Sequence, residues 1–312
     1  MITFKTLEKI ENISPTAIAL GNFDGVHLGH RELIRRTVQL ARTKTSQGIP
    51  LRSAVFTFSN HPKNLIPGAK PIKNIIYSSE KAELIESLGV DYLFDIEFTE
   101  DIMKLPPEGY VKKLLVEKFN AAEVFCGFNY RYGYKAEGNS EMLVRLGEKY
   151  GFRVTGVEPI AVDGEVVSST LIRELIKSGD IDECEKFLGR NYEIGGEVVV
   201  GNRLGKSLGF PTSNIMIDED MVTPPNGVYI TYLVYNGVRY PSITNVGVKP
   251  TIGEFRKNME THIFNFDSEL YGKYIKIEFL EMMRPEVKFS SVEELKAEIV
   301  RNCVYAKKYH GI

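Results

Sequence analysis

The stretch Thr16-Ala17-Ile18-Ala19-Leu20-Gly21-Asn22-Phe23-Asp24-Gly25-Val26-His27-Leu28-Gly29-His30 decides how the first half of this chain is read. Residues 16–20 show no polar/apolar alternation, and a short apolar run of this kind predicts a strand buried on both faces. From Arg31 to Leu40, apolar residues fall at 33, 34, 38 and 40 with polar ones between, which predicts an amphipathic helix covering that sheet. Gly21, Gly25 and Gly29 punctuate the turn that joins them and deliver His27 and His30 to the helix start. Such a turn aims free backbone N–H groups and the positive end of the helix dipole at one place, which suits a triphosphate. Two imidazoles three residues apart straddle that place. Taken alone, His-x-Gly-His is also compatible with a surface turn of metal-like spacing. Zinc is disfavoured, because Cys126, Cys184 and Cys303 lie far apart and form no Cys-x-x-Cys pair.

Further strands are predicted at 53–58, 92–96, 123–127 and 153–157, with helices at 79–88, 107–119 and 139–150 between them. Ser78 or Ser79 is the expected N-cap of the first of these helices. This alternation predicts a parallel sheet with helices on both faces, whose ligands gather at the carboxyl ends of the strands. Polar groups cluster at those ends: Ser59-Asn60-His61-Pro62, then Phe128-Asn129-Tyr130-Arg131-Tyr132-Gly133, then Ser168-Ser169-Thr170-Leu171-Ile172-Arg173. The last is compatible with a plain helix N-cap and equally with an anion site at a helix N-terminus.

The texture changes between about residues 178 and 191. Beyond it, 192–200, 227–235 and 274–280 are rich in β-branched and aromatic residues, and Asn236-Gly237 between Tyr235 and Val238 is a type I′ hairpin signal. Ser291-Val292-Glu293-Glu294 opens a C-terminal helix with a capping-box pattern. Residues 192–288 therefore predict a small β-barrel closed by one helix. Its conspicuous segment is Gly201-Asn202-Arg203-Leu204-Gly205-Lys206-Ser207-Leu208-Gly209-Phe210-Pro211-Thr212-Ser213-Asn214, which lacks the spacing and the following helix of a P-loop.

With 312 residues, 43% of them hydrophobic and 26% charged, the chain is long enough for two globular domains. A net charge of −2 gives no bulk electrostatic reason to expect nucleic-acid or membrane binding. The N-terminus has no basic stretch followed by an apolar core, and no apolar run approaches ~18 residues, so a cytoplasmic protein is expected. Three scattered cysteines fit a reducing compartment as small buried hydrophobes.

The 21–30 string resembles the signature of the HxGH nucleotidyltransferases. Four ordered blocks narrow the likeness: residues 21–30, Phe-x-x-His-Pro at 58–62, Gly-Phe-Asn-Tyr-Arg-Tyr-Gly at 127–133 and Ser-Ser-Thr-x-Ile-Arg at 168–173. Together with Gly-Phe-Pro-Thr-x-Asn at 209–214, they make the chain similar to the bacterial bifunctional riboflavin kinase/FMN adenylyltransferases, or FAD synthetases. The resemblance implies a Rossmann-like adenylyltransferase domain over 1–185 and a β-barrel riboflavin kinase domain over 186–312.

In the first domain, the resemblance implies ATP contacts from Gly21, Asn22, Phe23, Asp24, Gly25, Gly29, Ser168, Ser169, Thr170 and Arg173, with His27 and His30 stabilising charge as pyrophosphate leaves. His61, Asn129 and Arg131 are implied flavin contacts; the family commonly has Asp where this chain has Asn129. In the second domain it implies ATP contacts from Gly201, Lys206 and Gly209 and Mg²⁺ ligation by Thr212 and Asn214. Glu260 is the implied base, and Ile263, Asn265 and Arg284 frame the flavin. The expected ligands are riboflavin, FMN, FAD and ATP with Mg²⁺. A nucleotidyltransferase acting on pantetheine phosphate or nicotinate mononucleotide would leave the second domain's motif unexplained, and a flavin-binding protein without turnover would be expected to lack some of the catalytic groups.

Overall fold

The computed structural model describes residues 1–66, 68–201, 209–251 and 254–312. These divide into two compact units, Met1–Ser169 and Thr170–Ile312.

The first unit is built on a six-stranded sheet of order β1-β4-β3-β2-β5-β6, every neighbouring pair parallel: β1 (Ile2–Phe4), β2 (Thr16–Leu20), β3 (Arg52–Phe58), β4 (Tyr92–Ile96), β5 (Ala121–Gly127) and β6 (Arg153–Val157). All five residues of β2 are buried, as its unbroken apolar run predicts, because neighbouring strands cover its edges and packed layers cover its faces. One layer packs Leu33, Ile34, Val38 and Ala41 of α1 (Leu28–Ser46) against Ala17, Ala19 and Val55. The other packs Ile18, Leu20 and Phe56 against Phe94, Leu115 and Phe119.

Helix α2 (Ser78–Ser87) is capped at Tyr77 and not at a serine; Ser78 instead directs its hydroxyl to Asp95 (2.9 Å). Short helices α3 (Glu100–Met103) and α4 (Pro107–Tyr110) follow. The helix expected over 107–119 widens beyond α4, with Glu117 N donating to Lys112 O and Phe119 N to Leu114 O, both five residues back. Helix α5 (Ser140–Tyr150) ends at Gly151 in the left-handed region (φ +85°). Strand β1 lies outside the sequence-based expectation, since three residues are too few to show a period. A two-residue pair, β7 (Ala161–Val162) and β8 (Glu165–Val166), leads to α6 (Ser169–Ser178) and α7 (Ile181–Leu188).

In the second unit β9 (Tyr192–Val199), β10 (Ser213–Met216), β11 (Gly227–Tyr235), β12 (Val238–Thr251), β13 (Glu254–Ile263) and β14 (Tyr274–Pro285) close into an antiparallel barrel of order β10-β13-β12-β11-β14-β9. The Asn236-Gly237 hairpin is present, with both residues at positive φ (51° and 77°) and Tyr235 paired to Val238. The units part earlier than the change of texture suggests, with α7 packed against β9 and β14. Alternation fills the barrel interior with Tyr192, Ile194, Tyr229, Leu233, Met259 and Ile277. A hydroxyl chain, Ser242–Thr231–Thr244–Thr261, is also buried, each link 2.8 Å. The outward residues Val228, Ile230, Ile243 and Phe264 pack instead with Cys303 and Ala306 of α8 (Val292–His310). Ser291 caps α8 by accepting from Glu294 N (3.1 Å), while the Glu294 carboxylate reaches Ser290 N (2.9 Å). All three cysteines are free and buried, and burial pushes the Cys126 and Cys184 thiols up to about 11 and about 12.

Candidate active sites

In the first unit β2 ends at Leu20, and Gly21 N donates to Phe56 O (3.2 Å) as the chain leaves the sheet. The turn that follows carries positive φ at Phe23 (49°), Gly25 (81°) and Val26 (41°). A β-branched residue in that region is strained and persists only where its surroundings over-determine it. They do so here. Thr57 Oγ1 donates to Asn22 O (2.8 Å), Ser169 Oγ donates to Asp24 O (2.9 Å), and the Asp24 carboxylate accepts from Ile75 N (2.9 Å). Phe23 and Val26 are wholly buried beneath.

His27 then serves as the N-cap of α1, its Nδ1 accepting from His30 N (3.2 Å). A ring that accepts at Nδ1 carries its neutral-form proton on Nε2. The two imidazoles do not straddle the helix start. They stack, centroids 3.5 Å apart and planes 16° apart, with the Phe23 ring edge-on to His30 at 5.1 Å. A Cβ at Gly29 would stand 3.3 Å from the His27 ring, so the glycine leaves room for the stack.

At the same end of the sheet, Asn22, Asp24, Ser59, Asn60, His61 and Lys81 line one cavity. His61 caps the turn Pro62–Leu65, its Nδ1 accepting from Lys63 N (3.2 Å). Asn129 and Arg131 stand exposed on the loop after β5, the strand beside β2. Behind them Tyr130 and Tyr110 share a hydroxyl contact (2.9 Å), and burial raises both phenols. Ser168 is half-buried at the start of α6; in the second unit, Thr170 is exposed and Arg173, one turn along α6, is buried.

Sequence reading missed Lys81. It is 6% exposed, its ammonium donating to Phe58 O (2.8 Å) and Thr57 Oγ1 (3.2 Å) and standing 4.0 Å from Asp95 Oδ1. Burial holds it below the usual lysine range, against the pull of Asp95 and Asp24. A lysine in an amphipathic helix ordinarily reads as a solvated residue, so no local signal marks it.

The second unit assembles its candidate site across strands. Glu260 on β13 is the register partner of Asn214 on β10 and of Asn245 on β12; Asn245 faces Val228, which faces Arg284 on β14. Directly opposed residues in antiparallel strands share a face, so these five form one row around the outside of the barrel. Asn258 Nδ2 donates to Glu260 Oε1 (3.3 Å). Asn214 is buried, and its amide N–H donates to Thr212 O (3.3 Å) and Thr212 Oγ1 (3.4 Å), tying together two side chains that each carry a hard neutral oxygen. A Cβ at Gly201 would collide with that amide at 2.4 to 2.6 Å. Gly209 adopts φ +92°, open to glycine.

Lys206 lies outside the described residues. Ile263 is buried, on the interior-facing side of β13, and Asn265 is exposed at positive φ in the turn beyond it. Arg284 Nε donates to Asn302 Oδ1 of α8 (2.9 Å) and lies 3.4 Å from Glu298 Oε1. His262, two residues beyond Glu260, was also missed; its Nδ1 is 2.9 Å from Pro211 O and ties β13 to the residue before Thr212. An isolated histidine in an alternating strand carries no such signal.

A parallel α/β unit with a glycine-rich loop and paired histidines at a helix start, together with an antiparallel barrel bearing an Asn–Glu–Asn row, defines the class as a two-unit nucleotide-dependent transferase. Family models agree: one described as FAD synthetase matches residues 9–171 and one described as riboflavin kinase matches 188–310. The chain is 34% identical to the bifunctional riboflavin kinase/FMN adenylyltransferase of Listeria monocytogenes, over 91% of this chain and 89% of that one. To the Bacillus subtilis protein of the same description it is 34% identical over 96% and 94%, and to that of Escherichia coli K12 30% identical over 99% and 98%. A crystal structure titled as a macrolide-efflux protein from Streptococcus pneumoniae has the same fold, with TM-score 0.86 and 27% identity over 98% of both chains.

The chain belongs to the bifunctional riboflavin kinase/FMN adenylyltransferase family. It is an enzyme with both activities, adenylylation in its N-terminal part and phosphorylation in its C-terminal part, acting on riboflavin, FMN and ATP to give FAD. Among the described residues, no helix is long and apolar enough to cross a membrane.

Proposed function

We propose that the residues described above divide between two steps, with an adenylyltransferase domain spanning 1–185 and a kinase domain 186–312. In the kinase step Glu260 accepts the proton of the ribityl 5′-hydroxyl as that oxygen attacks the γ-phosphorus of ATP. Lys206, Gly201 and Gly209 position the phosphates, and Arg284, Ile263 and Asn265 frame the flavin. Thr212 and Asn214 supply oxygens that suit Mg²⁺, which when bound neutralises phosphate charge.

In the adenylyl step the FMN phosphate is already an anion and attacks the α-phosphorus of a second ATP, so no protein base is needed. Positioning and charge stabilisation do the catalysis. The loop 21–26, Gly29, Ser168, Ser169 and Thr170 hold the triphosphate, while His27, His30 and Arg173 stabilise charge on the departing pyrophosphate. His61, Asn129 and Arg131 face the FMN.

The observation that carries this reading is the register row placing Asn214 and Asn245 on either side of Glu260, which supports a base beside a metal ligand. A chromatographic time course with riboflavin, ATP and Mg²⁺ tests it, FMN rising first and then converting to FAD. Glu260→Gln should block the first conversion and spare the second. Loss of both conversions in a folded Glu260→Gln protein would overturn the assignment.

A further inference from the structure

Lys81 has a position that the proposed chemistry leaves unexplained. Taking an ammonium out of water is costly, and a methionine of similar length would fill the same space without that cost. Its nearest carboxylate is shared. Asp95, itself 1% exposed, accepts from Lys5 Nζ and from Ser78 Oγ (2.9 Å) through Oδ2, leaving only Oδ1 toward Lys81 at 4.0 Å. The strong bonds of Lys81 go to the end of β3 instead, to Phe58 O and Thr57 Oγ1.

Those two acceptors lead to both walls of the cavity. Thr57 Oγ1 accepts from Lys81 and donates to Asn22 O, so the chain Lys81–Thr57–Asn22 runs from α2 into the strained glycine-rich turn. Phe58 O is the last carbonyl of β3, directly before the Ser59-Asn60-His61 turn that forms the opposite wall. A cation bonded to the polar groups of two consecutive residues fixes their mutual geometry, and hydrogen bonds from a charged donor are roughly twice as strong as neutral ones. We propose that Lys81 is a positioning residue for adenylyl transfer, clamping the 21–26 turn and the 59–61 turn at the spacing that the nucleotide requires. This rests on the reading of that cavity as the adenylyl-transfer site. Lys81 acts through Thr57 and Phe58, and its loss moves the backbone that meets the phosphates.

Lys81→Met in the full chain tests it. Hydrogen exchange of peptides covering 21–27 and 57–62 should quicken, while peptides from α5 and the barrel stay as in the unaltered protein. With FMN supplied, kcat for FAD formation should fall roughly 10- to 100-fold, the scale expected when reacting groups are misplaced by about 1 Å. Phosphorylation of riboflavin, carried out in the C-terminal part, should be unchanged and serves as the control for folding. Should Lys81→Met not fold, Lys81→Ala decides the matter: added ethylamine should recover FAD formation, and ethanol should not. Unchanged exchange together with unchanged kcat, or equal rescue by amine and alcohol, overturns the proposal. Absence of FAD formation by the unaltered protein would instead sink the reading of the cavity, and the exchange measurement would still decide the clamp.

Discussion

The two units place their candidate sites by opposite means. In the α/β unit, one continuous string, 21–30, holds the turn, the helix N-terminus and both histidines, and distant residues such as Thr57, Ile75 and Ser169 act by hydrogen-bonding to it. In the barrel the candidates lie far apart along the chain, at 214, 245, 260 and 284, and strand register brings them into one row. Under the roles proposed above, the difference follows the chemistry. A phosphate nucleophile needs charge stabilisation, which backbone N–H groups and a helix dipole supply locally. A hydroxyl nucleophile needs a base set beside the phosphate-bound metal, and two such side chains must come from separate strands.

The sharpest way to break this contrast is to remove one chemistry and leave the other. His27→Ala/His30→Ala should lower FAD formation from supplied FMN by roughly 10²- to 10³-fold or more, the scale for losing preorganised charge stabilisation, with FMN formation from riboflavin intact. Glu260→Gln should lower FMN formation by roughly 10²- to 10⁴-fold, the usual contribution of a positioned base, and leave adenylylation of supplied FMN untouched. Both are read by chromatography of the three flavins. If either variant lost both activities while folded, the division of labour between the units would be wrong.

Glycine substitutions sharpen the comparison at a smaller scale. Gly201→Ala puts a Cβ into the Asn214 amide, so that side chain must turn away and kinase activity should drop roughly tenfold or more through a displaced Asn214, since small misplacements are costly in rate. Gly29→Ala meets the His27 ring at 3.3 Å, a contact that a few tenths of an ångström of movement relieves. Its effect on FAD formation should be smaller, measurable as a change in kcat with the kinase rate unaltered.

The same difference governed how much could be read from sequence. Strand β2, the turn and α1 were legible because period, glycine and cap all lie within one short window, and β6 and β11 were placed to the residue. What sequence spacing did not show was side-chain arrangement. The imidazole stack exists because His27 turns back to cap its own helix, and a three-residue spacing does not distinguish stacking from straddling. Lys81 and His262 were invisible for a related reason. Each acts on a segment distant in sequence, through Thr57 and Phe58 in one case and Pro211 in the other, and helix or strand period assigns both to ordinary surface. The Ser78 cap expectation failed because Asp95, buried at the end of β4, took the hydroxyl.

The smallest expected effect concerns His262 and tests whether the barrel site is as finely held as the glycine-rich turn. Burial between Phe210 and Phe264 holds its imidazole below the ordinary 6.5, the bond to Pro211 O only partly opposing this. His310, on α8, is lowered by burial in the same way. A folded-state value below the unfolded one means that the unfolded chain binds more protons as pH falls through that window. Stability from these groups is therefore complete above about pH 6.5 and is lost as pH falls toward their folded values. The thermal midpoint of the barrel should drop by on the order of a few degrees between about pH 7.5 and 5.5. In His262→Asn the slope should be shallower, because one of the two titrating rings is gone. A slope identical in the variant would show that titration of His262 is not linked to folding.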